Sequence, residues 1–481
     1  MKKILFRILF FSFIVFICAD NLKAQFSISG EFRMRGEYRE GYMSLRDSSK
    51  TPYADILGRA RLVFDFNSEK IMTRFSLNDA WVYGQNNYSS DTISKNTVNI
   101  FEAFLKYNFT KSFALKVGRS ELVYDDERFL GASNWSMWGA THDIVLSQWE
   151  TPGAKYKGDF GFAVNNIAPT SPYLSSYLLK NYKYMGFLWE QKKFFRDKFI
   201  ISFLGLVDAF QKPGLTSVTK TITYDTLMVK DTTGNVIGYT VTKDSVSTSK
   251  TTDYPSQLYA RATAGLNFLV NLKKWSFFLT GYYQWGHYKD GRKINSHFYS
   301  AWVSYQVIKA LKLQIGFDHL SGNNFSKTTT LKTTVKGFST LYGTAHRAYG
   351  YMDLFNTLVK DNLSTGLNDL YLRGTVSLDE KTSVEGTWRW FSIPYGYLSR
   401  IPAPNSRELP YMSVDKSLGH ELDVMFVYKP LANLELNAAY CLFLPTSSME
   451  LMSNIASGKS KFANYAYLMI TYKPNFFISG K

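Results

Sequence analysis

From Gln25 to Arg39 the chain alternates with a period of two: Phe26, Ile28, Phe32, Met34 and Tyr38 share one parity, and Glu31, Arg33, Arg35, Glu37 and Arg39 the other. A period of two belongs to an extended strand, whose successive side chains point to opposite faces. A strand that is apolar on one face and charged on the other fits either the skin of a soluble sandwich or a wall with lipid outside and water inside. The charged face, placed directly after a secretion signal, favours lipid and water. The same alternation recurs near 26–40, 54–66, 71–83, 98–109, 112–124, 141–150, 156–165, 182–191, 198–210, 257–270, 275–286, 296–308, 311–320, 368–378, 382–392, 418–429, 433–444 and 462–473. About eighteen strands are predicted, an even number that suits a closed antiparallel barrel with both ends on one side.

The connections alternate between short and long. Asn67 to Lys70, Thr110-Lys111, Asn271 to Lys274, Asp379 to Lys381 and Pro430 to Ala432 are short, whereas Gln211 to Ser256 and Ser321 to Leu367 are the largest of the long ones. Short turns on one rim and long loops on the other predict an outer-membrane orientation, turns in the periplasm and loops outside. A solenoid would show a constant repeat length, and none is present. Within the loop from Gln211 to Ser256, alternation around Thr233-Gly234-Asn235 predicts a projecting hairpin.

Residues 1–24 read as a signal peptide: Lys2, Lys3 and Arg7 precede an apolar run from Ile8 to Ile17, and Leu22-Lys23-Ala24 offers a small-residue cleavage site. Ile17 is too large for lipoprotein processing at Cys18. Residues 25–481 then form one barrel. Cleavage removes Lys2, Lys3, Arg7, Lys23 and Asp20, so the formal charge falls from +17 to +14. Cys441 alone remains, which excludes an intrachain disulfide and reads as a buried thiol. Beyond the signal no run approaches the roughly 18–20 apolar residues of a spanning helix. The 17% aromatic content is what two interfacial girdles would use.

If the apolar parity faces lipid, the lumen carries Arg33, Arg35, Arg39, Arg59, Arg61, Arg74, Lys106, Lys116, Arg261, Lys312, Arg373 and Arg389, with Glu31, Glu37, Asp65, Glu102, Asp318, Asp369, Glu385, Glu421, Asp423 and Glu435. Cross-strand pairing accounts for most of these taken singly. It does not account for the crowding of Arg33, Arg35, Arg59 and Arg61 on adjacent segments with Arg74 on the next. Guanidinium forks bind carboxylates at two points, and a positive field in a narrow channel draws anions.

From Val117 to Asp143 the sequence reads VGRSELVYDDERFLGASNWSMWGATHD. It resembles the alginate-export family of outer-membrane barrels, whose pattern is matched by Gly118, Arg119, Leu122, Tyr124, Asp126, Arg128, Gly131, Trp135, Gly139 and Asp143. Ala140 stands where that pattern has an arginine. FSTLYGTAHRAYGYMDLF from Phe338 is similar to the family's long-loop signature, and LNDLYLRG from Leu367 and LGHELDVMFVYKP from Leu418 sit where it has strands. The resemblance implies a monomeric eighteen-stranded barrel, lodged among outer-membrane lipid and lipopolysaccharide, with an electropositive constriction of inward-folded loops that passes a polyanionic uronate polymer. It places the loop from Arg119 to Asp143 inside the barrel. There Arg119 and Arg128 are expected to pair with Asp125 and Asp126, and Trp135 and Trp138 to pack on the inner wall. After Phe477 the chain continues through Ile478 to Lys481, a departure from the usual terminal strand.

Other chemistry is thin. His142, His287, His297, His319, His346 and His420 show no metal-ligand spacing, and Ser133 lacks a nucleophile elbow. Asp125, Asp126 and Glu127 could serve hydrolysis or calcium, but beside two arginines they read as a salt-bridged anchor. Dispersed charge on a secreted barrel argues against nucleic acid. The expectation is a channel without cofactor or metal for anionic oligosaccharides or small anions, using Arg33, Arg35, Arg59, Arg61, Arg74, Lys106, Arg119, Asp125, Asp126, Arg128, Arg261, Arg373 and Arg389. A general anion-leaning porin, an outer-membrane lipid hydrolase and a surface-adhesion scaffold stay open as alternatives.

Overall fold

A computed structural model describes residues 24–84, 98–165, 181–212, 216–230, 236–252, 257–325, 333–346, 348–400 and 411–479. All but the last residue of the expected signal peptide lie outside the described residues. The wall is made of β1 (Gln25–Glu40), β2 (Tyr53–Asn67), β3 (Ile71–Val82), β4 (Asn99–Asn108), β5 (Phe113–Ser120), β6 (His142–Glu150), β7 (Tyr156–Val164), β8 (Tyr184–Phe194) and β9 (Phe199–Gln211). It continues with β10 (Leu258–Asn271), β11 (Trp275–His287), β12 (Lys293–Ile308), β13 (Leu311–Leu320), β14 (Leu367–Ser377), β15 (Thr382–Ser392), β16 (Ser417–Leu431), β17 (Leu434–Pro445) and β18 (Ala463–Tyr472). Each pairs antiparallel with its neighbours, and β1 closes on β18 through the register Arg33↔Thr471 and Glu37↔Tyr467. Closure removes the open edges that lipid could not solvate. The fold is a closed eighteen-stranded antiparallel barrel.

The parity read from the sequence is the parity of the wall. Phe32 and Tyr38 of β1 are exposed outward, whereas Arg33, Arg35 and Glu37 are buried inward. On β11 the outward row runs from Trp275 through Phe277, Leu279 and Tyr283 to Trp285. Ten residues at about 3.4 Å rise and about 40° tilt separate the two tryptophans by about 26 Å across the membrane, the height of an apolar band between two girdles. Tyr305 packs on Trp275 at the inner girdle (4.5 Å between centroids), and Tyr283 stacks with Trp285 at the outer one (6.0 Å). No helix among the described residues is long and apolar enough to cross a membrane.

Connections on the inner rim are short, such as residues 68–70, 272–274, 309–310 and 432–433. Those on the outer rim are long, with one exception: residues 288–292 join β11 to β12 by a five-residue turn in which Gly291 takes φ 91°. The loop of residues 212–257 carries the expected hairpin, Thr216–Lys230 paired with Val236–Thr252, while its turn falls outside the described residues. The sequence departure at the C-terminus has a structural counterpart. After β18 the chain turns at Lys473-Pro474 and adds a short strand, Asn475–Ile478, to the inner end of β1, where Phe477 meets Phe26. Epitope tags at residues 68–70 or 272–274 should be hidden from antibody on intact cells, and tags in the loop of residues 212–257 reached by it. The reverse pattern would invert the topology.

Candidate functional site

Arg33 stands directly opposite Arg59 in the β1–β2 register, with Arg35 and Arg61 one step along the same face. Like charges placed opposite one another destabilise a sheet unless something answers them. One answer is Glu31, which pairs with Arg33 (3.2 Å) and with Arg59. The other is the third outer loop, residues 121–141, hereafter L3, which folds into the barrel. Arg33 donates to the carbonyl of Asn134 (2.6 Å), Arg35 to that of Trp135 (2.7 Å) and Arg59 to that of Ser136 (3.2 Å). The Arg35 guanidinium also lies 3.9 Å over the Trp135 ring. Three consecutive carbonyls thus sit on three wall arginines, so the crowd clamps a loop. Arg61 is different: it bonds Asn78 (3.2 Å) and lies 3.6 Å over Phe101, with no L3 carbonyl and no carboxylate at ion-pair distance among the described residues.

The root of L3 is held on the opposite wall. Tyr124 donates to Asp159 of β7 (2.7 Å), and Asp125 accepts from Trp189 of β8 (3.1 Å), Ser202 of β9 (2.5 Å) and Asn267 of β10 (2.9 Å). Burial pushes the Asp125 carboxyl up to about 6, with Asp126 adding to the rise and the Ser202 and Trp189 bonds opposing it. Part of its surface reaches lumen water, yet the protein around it governs the charge, and at neutral pH it offers its donors an ionised acceptor. Asp125 takes left-handed backbone (φ 52°), a strain that these bonds hold in place, and Glu127 and Ser133 do so too (φ 60° and 48°) where each bonds Thr344.

The seventh outer loop, residues 321–366 and hereafter L7, packs on L3 along a backbone seam. Tyr342 donates to Phe129 (3.0 Å), Thr344 to Glu127 (2.9 Å), and Leu130 bridges Tyr342. The approach is close enough that a Cβ on Gly343 would lie 2.0 Å from the Arg128 carbonyl, so only glycine fits. Trp135 stacks on His346 (3.9 Å, 7° between planes), and Phe129, Leu130, Phe338, Tyr349, Met352 and Phe355 bury an apolar cluster against Tyr282 and Phe298 of the wall. Arg128 ties both loops to β13, pairing with Asp126 (2.9 Å), with Asp318, and with the Tyr349 hydroxyl (3.4 Å).

Three expectations are corrected. Asp125 pairs with no arginine among the described residues and takes the neutral donors Trp189, Ser202 and Asn267 instead. Arg119 lies on the outward parity of β5 with Val117 and pairs with Asp143 of β6 (2.7 Å), so it belongs to the outer surface and not to the lumen or the L3 anchor. Trp138 is 48% exposed rather than packed on the wall. Among the other residues singled out, Arg74 pairs with Asp65 (2.8 Å) and Glu102 (3.3 Å), Arg261 with Asp208 (2.5 Å), Arg373 with Glu385 (3.3 Å), and Arg389 with Asp369. Lys106, Lys116 and Lys312 lie inward with no carboxylate at ion-pair distance among the described residues; Lys116 donates to Ser120 (2.9 Å). Sequence reasoning missed L7 as a partner: Tyr342, Thr344 and His346, like Asp318 of β13, carry no local signal that they meet L3.

Space for a solute remains around the packed loops. A cavity of about 550 Å³ opens toward the inner rim, lined by Lys106, Tyr124, Gln148, Lys157, Asp159 and Trp189 among others. Another, of about 350 Å³, lies between Asp126 and Arg128 of L3, His346 of L7, and Gln314, Arg373 and Arg389 of the wall. No group of side chains among the described residues could hold a metal ion.

The family model described as alginate export matches residues 24–447. Among solved structures, the chain is similar to a BenF-like porin from Pseudomonas fluorescens Pf-5 (10% identity, 94% of this chain and 99% of that one, TM-score 0.53). It is similar also to Pseudomonas aeruginosa OccK2 (OpdF), solved in complex with glucuronate (10%, 94% and 97%, 0.54), and to Acinetobacter baumannii OccAB4 (8%, 94% and 98%, 0.52). No curated protein matches.

Proposed function

The chain belongs to the alginate export family and forms a channel of the bacterial outer membrane, and from that premise we propose that its solutes are anionic saccharides bearing carboxylates. The observation that carries the reading is the set of inward cations with no carboxylate at ion-pair distance among the described residues, Lys106, Lys116 and Lys312 in the inner half of the wall, with Arg61 beside L3. Arg33, Arg35 and Arg59 are engaged by loop carbonyls and acids, so solute contact falls to these groups and to Arg373, which borders the cavity between L3 and L7. The glucuronate of the OccK2 complex is a ligand of the proposed class on a barrel of the same fold. Acids such as Asp159, which accepts from Tyr124 and Gln148, and Glu385, which pairs with Arg373, keep the field mixed, and a mixed field lets a bound anion leave.

Planar-bilayer recording under a potassium chloride gradient should show anion preference in the wild-type channel. A unit charge about 6 Å from the path in water shifts an ion's energy by ~0.7 kcal/mol, about threefold in relative permeability. Replacing Lys106, Lys116 and Lys312 together by glutamine should lower the anion-to-cation ratio by at least that factor and weaken block by uronate oligomers. A cation-selective parent, or an unchanged ratio in the triple variant, would refute the proposal.

A further inference from the structure

On the lipid side of β10 to β14 the wall is hollowed. A recess of about 600 Å³ opens outward over Ala301, rimmed by Phe268, Phe277, Leu279, Ile315 and Phe317. Ala301 is opposite Leu279 on one side and Phe317 on the other, so one small side chain sits among large ones at mid-height between the girdles. An apolar recess at that depth is open only to hydrocarbon.

Directly above it, toward the outer rim, the same face turns polar. His319 is opposite Tyr299, two residues up from Ala301, and His297 lies two further on. The His297 and His319 rings stack at 5.3 Å, and Tyr299 stacks on His319 at 4.6 Å. Asn368 fixes His319 through a 2.7 Å contact in which Nδ1–H donates to the amide oxygen. The His297 ring makes no hydrogen bond among the described residues. Lys293 continues the outward row at the rim, exposed, with no carboxylate at ion-pair distance among the described residues. From Ala301 to Lys293 is about 27 Å along the strand, about 20 Å of membrane height at about 40° tilt, which spans an acyl chain and its headgroup.

We infer that this face is a binding site for one phosphorylated, acylated glycolipid of the outer leaflet, an acyl chain filling the recess over Ala301 while His297, at the depth of the outer girdle, and Lys293 receive the sugar and phosphate and His319 supports the His297 ring. The recess fixes depth and the polar row fixes headgroup charge. A lipid with an uncharged or zwitterionic head would gain the first contact and lose the second. The site lies on the outer surface, so it is independent of the channel's solute.

Native mass spectrometry of the full-length barrel, purified in mild detergent from cells that make lipopolysaccharide, tests this. The wild type should retain one lipid A-containing molecule. The Lys293→Gln, His297→Gln, His319→Gln variant should retain about tenfold less, as loss of charge-assisted hydrogen bonds implies, and Ala301→Trp, which fills the recess, should displace it as well. Enzymatically dephosphorylated lipid A and phosphatidylethanolamine, added to delipidated barrel, should bind more weakly than intact lipid A. Heat-modifiable gel mobility and unchanged conductance certify that the variants are folded. Retention by the triple variant equal to wild type, or equal binding of the dephosphorylated lipid, overturns the inference; adventitious lipid only would show as equal loss from all variants and the wild type on washing, and would also overturn it.

Discussion

Replacing Arg33, Arg35 and Arg59 together by glutamine is expected to raise single-channel conductance severalfold, an effect of geometry before it is one of charge. The three guanidiniums hold the carbonyls of Asn134, Trp135 and Ser136. A hydrogen bond to a charged group contributes about 1.5–3 kcal/mol, so the clamp is worth at most about 4–9 kcal/mol, reduced by the repulsion between Arg33 and Arg59 that the substitution also removes. Without it the tip of L3 keeps its seam with L7 but loses its hold on β1 and β2. The passage beside those strands then opens. Arg61→Gln is the matched control, since Arg61 touches no L3 carbonyl and its loss should alter ion preference with little change in conductance. Shortening residues 125–136 should reproduce the triple variant and blur discrimination between short and long uronate oligomers, whereas shortening the loop of residues 212–257 should not. Unaltered conductance with lost anion preference in the triple variant would mean that the arginines face solute instead of loop.

Why the clamp was misread from sequence follows from what a sequence pattern encodes. Parity along β1 and β2 is local, so the inward placement of Glu31, Arg33, Arg35, Arg59 and Arg61 was legible, as were the eighteen strands and most short turns. Tyr124, Asp126, Arg128, Gly131 and Trp135 were legible as a motif because they lie within one loop. Their partners were not. Arg128 reaches Asp318, 190 residues on, and Trp135 stacks on His346 of another loop. The arginine clamp closes on backbone carbonyls, which every residue has and no composition reveals. Arg119 was misplaced for a different reason: the resemblance assigns it to the loop, whereas β5 runs on through Ser120. Gly118 takes φ 129° with no room for a Cβ beside the Ala103 carbonyl, and Arg119 after it keeps the outward parity of Val117. Residues 288–292 broke the alternation of connections because a tight turn can join strands on either rim.

Arg389→Met is expected to cost about 3–5 kcal/mol of barrel stability, the range for removing one member of a buried charge pair. Arg389 is 1% exposed and Asp369, its partner, 0%. Arg389 also lies 3.9 Å from Asp423, which shares the inner face of β16 with Glu421, both buried. Among the described residues no other cation lies at ion-pair distance from Asp369 or Asp423. Methionine fills the volume but leaves these carboxylates without water or counter-charge, and desolvated charge is what makes the loss large. The damage should spread to L7, because Arg389 donates to the Ala348 carbonyl (3.0 Å) and Glu421 accepts from the Met352 amide (3.0 Å). A urea titration of the folded fraction in detergent, read by heat-modifiable gel mobility, measures the stability, and open-channel noise reports the loop. Arg389→Lys should recover little, since one ammonium cannot stand both where Nη1 meets Asp369 and the Ala348 carbonyl and where Nε faces Asp423. Asp369→Asn placed on Arg389→Met should recover more, because it removes the stranded charge itself. If the double variant were no more stable than Arg389→Met alone, the cost would lie in lost packing around β15 and L7 and not in the buried pair.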